Sequence, residues 1–333
     1  NSSDPSKLRA KWNRSRPTVP RKPKVMIAAA DIVNPTMSLI QEESLVTYAT
    51  GYRMGYALLS HAGVSNARNE TVWVLESVLG LSRLDIHVSP ETPIDHSLWS
   101  RAEEAFRRRA AGEPLQYILG TQEFRGLDMS VRPGVLIPRP ETELINEEVH
   151  TLFPSSSRLH MADVGTGSGC LAVSLASEFP NATILAMDCS EIAMNVAASN
   201  ARGYLVHDRI RFQLGDGLEP LRQFPDFHGR FAVIVSNPPY IPAGQLGVLQ
   251  REVRDFEPWL ALDGGEDGLA LSRRLLREAH TFLQRGGFLV LEIGEGQVHR
   301  ICEEAEDLGI WNIQHIRRDG AGIDRVISLE RKG

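Results

Sequence analysis

In the second half of the chain an apolar run drives straight into two prolines: Val233-Ile234-Val235-Ser236-Asn237-Pro238-Pro239-Tyr240. Neither proline can donate to a sheet ladder, so a strand ending at Ser236 must stop there. The loop that follows is stiff. It carries Asn237, whose side-chain amide offers one acceptor and two donors, and Tyr240, an apolar or stacking wall. Together with neighbouring backbone carbonyls, Asn237 can grip a planar nitrogen-bearing group, either an amide or an exocyclic amine. Such a nitrogen is a weak nucleophile because its lone pair is delocalised, and it has no proton of convenient pKa to remove first. The chemistry that fits is positioning: the nitrogen is aimed in line at an electrophilic carbon, such as a sulfonium methyl, while carbonyl acceptors take up the charge growing on its N–H groups. Positioning can supply about 7–11 kcal/mol, and preorganised dipoles add to it. A tight turn with a structural role only is the competing reading.

A second motif lies upstream, Met161-Ala162-Asp163-Val164-Gly165-Thr166-Gly167-Ser168-Gly169. Glycines at alternate positions allow positive φ and close backbone approach. The spacing is not the GxGxxG of dinucleotide sites, which present a helix N-terminus to a pyrophosphate. It suits a ligand without phosphate, a nucleoside carrying an amino-acid tail. Asp163 could receive the ammonium of that tail, directly or through water. Asp188, nineteen residues after Gly169, is placed to accept hydrogen bonds from both ribose hydroxyls. Asp216, in Leu214-Gly215-Asp216-Gly217, is placed to touch an adenine amino group. Any one of these aspartates could be a helix cap or a turn residue; three at successive strand ends form a pattern.

The elements that must position these residues read as a parallel α/β sheet. Strands are expected at 159–164, 183–187, 210–214, 231–236 and 286–293, and helices at 169–178, 190–203, 268–284 and 297–307, with late strands at 311–317 and 323–329. Alternation at this spacing predicts a parallel sheet covered on both faces, with ligands beyond the strands' carboxyl ends. Upstream, residues 42–111 read as helices. Leu45, Ala49, Tyr52, Tyr56 and Leu59 form one stripe, Trp73, Val74, Ser77 and Val78 continue it, and Leu98, Ala102, Ala105 and Phe106 start a later helix. Breaks are expected at Gly63, Gly80 and Pro90/Pro93. Arg107, Arg108 and Arg109 read as a solvated helix end that suits the helix dipole, against a partner-docking role. Short extended pieces at Tyr117–Leu119, Gln122–Phe124 and Met129–Val131 predict a β-hairpin linker. Pro138 and Pro140 then fix an extended turn before a helix over Glu141–Leu152.

Bulk properties bound the alternatives. Hydrophobic residues make up 42% of the chain and charged residues 23%, as in soluble globular proteins. No apolar run is long enough to span a membrane. Residues 1–36 carry eight basic and two acidic side chains, so the net charge of -6 leaves the rest of the chain at -12. So acidic a body is a poor generic binder of phosphate backbone. Three cysteines without CxxC spacing and ten scattered histidines support neither a disulfide framework nor a metal site, and point to a reducing compartment. Residues 1–36, rich in Ser, Pro, Lys and Arg at their start, read as a disordered basic extension. An upstream extension, an organelle transit peptide and a basic arm touching RNA are its readings.

The glycine motif, Asp188 and Ser236–Tyr240 resemble class I amino-methyltransferases, which include adenine N6 and glutamine N5 enzymes. Three further stretches resemble the peptide-chain release factor N5-glutamine methyltransferase (HemK/PrmC) family: Glu113–Gly120; Leu136-Ile137-Pro138-Arg139-Pro140-Glu141-Thr142-Glu143; and Glu257-Pro258 followed by Ala261–Gly265. The resemblance covers roughly residues 40–330. It implies a Rossmann-like, mostly parallel sheet over 138–333, a small helical partner-docking domain over 37–112 and a hairpin linker over 113–137. It implies S-adenosyl-L-methionine as cofactor, bordered by Asp163, Gly165, Thr166, Gly167, Ser168, Gly169, Asp188, Asp216, Gly217 and Asn237. The glutamine of a Gly-Gly-Gln loop in class 1 release factors would be held by Asn237, Pro238, Pro239 and Tyr240, with Pro138, Arg139 and Glu141 walling the pocket. Action in the cytoplasm is implied, or in an organelle if residues 1–36 are a transit peptide. One departure is visible: Gly217 stands where many relatives carry a bulky aromatic residue. The rivals are a nucleic-acid adenine methyltransferase, which needs a basic recognition surface, and a non-catalytic binding protein that keeps the fold.

Overall fold

The computed structural model describes residues 45–80 and 83–333. The readings made for residues 1–36 lie outside that range. The first described elements are helical: α1 (Tyr48–His61), α2 (Ala67–Leu79), α3 (Arg83–Val88) and α4 (His96–Ala110). Local chemistry sets their ends. Thr47 and Thr50 form a reciprocal capping box before α1, Gly80 ends α2 in the left-handed region, and the Asp95 carboxylate accepts from the backbone N–H groups of Ser97 and Leu98 at the start of α4.

The buried face of α1 differs from the predicted stripe. Gly51, Gly55 and Leu59 are buried while Tyr56 is exposed. The two glycines let the rings of Trp99 and Phe106 on α4 press against the α1 backbone, a close approach that apolar periodicity cannot reveal. Trp73 is likewise exposed, whereas Val74 is buried as expected, together with Val72 and Leu75. Nor is the arginine run uniformly solvated. Arg107 is exposed, but Arg109 is mostly buried and pairs with Glu70 on α2 at 2.5 Å and with Glu252 at 2.9 Å.

Residues 115–119, predicted extended in part, form a short helix α5 (Leu115–Leu119). Pro114 stands at its start and Gly120 closes it in the left-handed region, and Leu115 and Tyr117 are buried in two different apolar clusters. Five residues between a proline and a glycine are too few for periodicity to tell strand from helix. The hairpin follows as β1 (Thr121–Phe124) and β2 (Leu127–Ser130), paired antiparallel. A single 3₁₀ turn at Pro140–Thr142 then leads into α6 (Glu143–Leu152), with Pro140 at its first position, where a missing N–H costs nothing.

The remaining elements alternate: β3 (His160–Val164), α7 (Cys170–Glu178), β4 (Thr183–Asp188), α8 (Glu191–Gly203), β5 (Ile210–Leu214), α9 (Glu219–Arg222), β6 (Phe231–Ser236), α10 (Arg251–Phe256), α11 (Ala270–Phe282), β7 (Leu283–Glu292), α12 (Val298–Leu308), β8 (Trp311–Arg318) and β9 (Asp324–Arg331). They build a seven-stranded sheet in the order β5-β4-β3-β6-β7-β9-β8. The strands from β3 to β7 run parallel, and β9 is antiparallel to both β7 and β8. Every residue of β6 is buried, as a central strand with both faces covered requires. Val233 and Val235 join the core cluster that α6, α7 and α8 complete, and Phe231 and Ile234 join the one beneath α11 and α12.

The chain goes outward from β3 to β4 and β5, then returns to the other side of β3 as β6. That reversal opens a crevice at the strands' carboxyl ends. No helix of the described residues is long and apolar enough to cross a membrane.

The Gly55 contact carries a test. A β-carbon there would stand 2.5–2.9 Å from ring atoms of the buried Phe106, so Gly55→Val should cost about 1–3 kcal/mol by overpacking. Chemical denaturation would read this as a lowered midpoint, and an unchanged midpoint would mean that the α1–α4 contact is looser than described.

Candidate active site

A cavity of about 280 Å³ fills the crevice. One wall is the glycine turn after β3. Gly165 and Thr166 donate their N–H groups to the Met187 carbonyl of β4, at 2.8 and 2.9 Å. Gly167 donates to Asp188 Oδ2 at 2.9 Å, and Ser190 to its Oδ1 at 2.8 Å. The turn is therefore tied to the neighbouring strand end, and each Asp188 oxygen keeps acceptor capacity toward the cavity. Gly169, at φ +81°, starts α7, and a β-carbon there would meet Ala197 of α8 at 2.9 Å. Only glycine permits both the conformation and that packing.

Across from this turn, Asn237 and Pro239 line the cavity. Val164 of β3 pairs in parallel register with Ser236 of β6, so the two motifs leave adjacent strands at the same level. The Asn237 carbonyl oxygen lies 4.0 Å from where a Gly165 β-carbon would sit. The Asn237 side chain donates through Nδ2 to the Thr142 hydroxyl at 2.9 Å, and that hydroxyl donates to Glu292 Oε2 at 2.6 Å.

The rest of the loop is braced from behind. Ile241 donates to the Leu262 carbonyl and Gly264 donates to that of Ile241, at 3.1 and 2.9 Å. Gln297 Nε2 donates to the Tyr240 carbonyl at 2.9 Å. Burial and the nearby Glu292 carboxylate push the Tyr240 hydroxyl well above its ordinary range. Gly165, Thr166, Gly167, Ser168, Asp188, Asp216, Gly217, Pro138 and Arg139 line the cavity, and Tyr240, Pro238, Glu141 and Asp163 do not. Gly169 lies within the turn.

Asp163 is fully buried. One carboxylate oxygen accepts from the Thr166 hydroxyl at 2.6 Å and the other has no partner. Burial pushes its carboxyl up to about 7. Burial likewise pushes the Cys170 thiol up to about 12, so this cavity-lining sulfur stays protonated. Asp216 is exposed and held by Arg274 of α11, whose Nη1 reaches both carboxylate oxygens at 3.0 and 2.9 Å. The same guanidinium lies 3.0 Å from where a Gly217 β-carbon would be, so at this end of the cavity it occupies the space that a side chain at 217 would need.

Sequence reading alone did not bring in Thr142, Glu292, Gln297, Arg274 or the role of Glu257. Glu257, nearly fully buried, accepts from Arg139 at 2.5 Å and from the Ile137 N–H at 3.4 Å. Two separated motifs, Ile137–Glu141 and Glu257-Pro258, are in fact one contact.

The donor set suits a nucleoside with an amino-acid tail. The Ser168 hydroxyl is buried at the cavity wall without a partner, Asp188 offers two acceptor oxygens, and Leu271, Pro258 and Leu260 give apolar walls. The sheet order, the glycine turn and this donor set define a class I S-adenosylmethionine-dependent methyltransferase. Residues 52–120 match the PrmC N-terminal domain and residues 148–265 the methyltransferase small domain. A release factor glutamine methyltransferase of Geobacter sulfurreducens is 42% identical over 269 residues, covering 81% of this chain and 91% of its own. That of a Synechocystis species is 39% identical, covering 86% and 96%. A solved methyltransferase from Pyrococcus furiosus is similar at 20% identity and a TM-score of 0.47, covering 69% of this chain and 100% of its own. The chain belongs to the release factor glutamine methyltransferase family.

Asp163 gives a testable pH dependence. Its folded carboxyl holds a proton up to about 7, whereas the unfolded chain releases it near 3.8. Stability is therefore lost as pH rises between these values, at up to about 1.4 kcal/mol per pH unit. Asp163→Asn should shrink the difference in unfolding free energy of the cofactor-free protein between pH 5 and pH 8. A difference equal to that of the wild type would contradict the burial of this carboxylate.

Proposed function

We propose that the protein transfers a methyl group from S-adenosyl-L-methionine to the side-chain nitrogen of the glutamine in the Gly-Gly-Gln loop of class 1 peptide chain release factors. The observation that carries the reading is the β3–β6 register, which sets Asn237 beside the glycine turn. When bound, the cofactor supplies a methyl carbon made electrophilic by a sulfonium.

On this reading the residues divide the work. Asp188 takes the ribose hydroxyls and Ser168 and the Gly165–Gly169 turn face the tail, with Asp163 acting from behind the turn. Gly217, Asp216 and Arg274 border the base. Asn237 has Nδ2 engaged by Thr142, so its Oδ1 accepts from the substrate N–H, and loop carbonyls accept from the other. On methylation, positive charge would grow on the amide nitrogen. These acceptors would stabilise that charge until one N–H proton leaves to solvent. Arg139, Pro138 and Pro239 confine the chain that carries the amide. The helical part would dock the release factor, and the reaction would run in the cytoplasm. Sequence-specific nucleic-acid binding is not expected of so acidic a body.

Mass spectrometry of a release factor incubated with the protein and S-adenosylmethionine should show one added methyl, on the tripeptide-loop glutamine. Methyl gain on an oligonucleotide and none on the release factor would overturn the reading. Asn237→Ala should lower turnover by about 10²–10³ while cofactor affinity changes little; equal loss of both would contradict the role given to Asn237. A release factor with glutamate at the target position should be rejected by about 10⁴–10⁵, and its ready methylation would count against amide recognition.

A further inference from the structure

Behind Asn237 lies a chain of hydrogen bonds whose polarity can be counted. The Thr142 hydroxyl has one hydrogen. At 2.6 Å from Glu292 Oε2 it gives that hydrogen to the carboxylate, and so it can only accept from Asn237, at 2.9 Å. Asn237 must then turn Nδ2 toward Thr142 and Oδ1 away from it. Thr142 and Glu292 are almost fully buried, at 2% and 1% exposure, and Thr142 stands at the cavity wall beside Asn237.

We propose that Glu292 is a positioning residue: through Thr142, its ionised carboxylate fixes which face of the Asn237 amide meets the substrate. This deepens the proposed reaction and rests on it for the role of Asn237. If Glu292 carries a proton, its O–H can donate to Thr142 and the Thr142 hydroxyl is free to donate to Asn237. The asparagine can then flip, presenting its NH₂ group to the substrate nitrogen, where donor would meet donor. An ionised Glu292 forbids that arrangement.

The surroundings of Glu292 place its titration where it matters. Burial raises its carboxyl to about 7, against the hydrogen bonds from Thr142 and Tyr240, which favour the charged form. Glu141 opposes ionisation and Arg325 on β9 favours it. Cys170, protonated, faces it from the start of α7. Arg139 and Arg325 both act on Tyr240. Asp163 titrates in the same range beneath the glycine turn and must be told apart from Glu292. The sign follows: Asn237 is locked in its acceptor-out orientation above the midpoint and released below it.

The direct readout is the Asn237 side-chain amide in the ¹⁵N-labelled full chain, identified by its loss in Asn237→Ser. Its Nδ2 resonances should shift with a midpoint near pH 7. Glu292→Gln and Thr142→Val should abolish the shift, and Thr142→Ser and Asp163→Asn should keep it. A resonance that does not titrate, or that titrates equally in Glu292→Gln, would overturn the proposal. Turnover supplies the second readout. The wild-type kcat should rise with pH through the same midpoint, and Glu292→Gln should lose that limb. Its kcat should fall about tenfold or more with cofactor affinity unchanged; loss of cofactor affinity instead would point to a merely structural role. Should the wild-type protein methylate no release factor, the proposed function fails, and the amide titration still decides the relay.

Discussion

Methyl transfer to an amide depends on distance and direction, because neither partner can be activated much beforehand. On the proposed reading both are set by one constraint, the parallel pairing of β3 with β6. Val164 and Ser236 are register partners, so the glycine turn and the proline loop emerge side by side from the most buried part of the sheet. Shifting the pairing by one residue would turn every β6 side chain to the other face, which two packed core clusters forbid. The spacing between glycine turn and proline loop is thus as rigid as the core beneath it.

Around this constraint the chain adds braces. Leu262–Gly264 pairs with Ile241, Gln297 holds the Tyr240 carbonyl, and Glu257 ties the Ile137–Arg139 wall to the far side of the crevice. The Arg139–Glu257 pair has one nearly buried partner, and removing either member of such a pair costs more than the pair itself contributes. At the opposite end, Arg274 lies over Gly217. The missing side chain at 217 is matched by a guanidinium supplied from α11 and anchored on Asp216.

Much of this was legible in the sequence because its signals are local. A strand ending in Asn-Pro-Pro-Tyr, a GxGxG turn and aspartates at strand ends each declare themselves within a few residues. The alternating elements of the sheet could be read the same way. What stayed hidden depends on pairing across the fold. Thr142 lies 150 residues from Glu292 and 95 from Asn237, and nothing in a lone threonine or a glutamate closing a strand announces that they meet. Gln297 likewise lies 57 residues from the Tyr240 carbonyl that it braces. Gly51 and Gly55 carry no apolar signal, yet they mark the buried face of α1. Residues 117–119 read as extended yet are helical, because a five-residue helix is shorter than the window over which periodicity is defined.

The central claim is that Asn237 holds a carboxamide against the cofactor's reactive end. A crystal structure with S-adenosylhomocysteine and a glutamine-bearing release factor peptide tests it most directly. The account predicts the glutamine nitrogen within about 3.2 Å of Asn237 Oδ1 and facing the sulfur. A glutamine seated elsewhere, or one that meets the Asn237 NH₂ group, would contradict it.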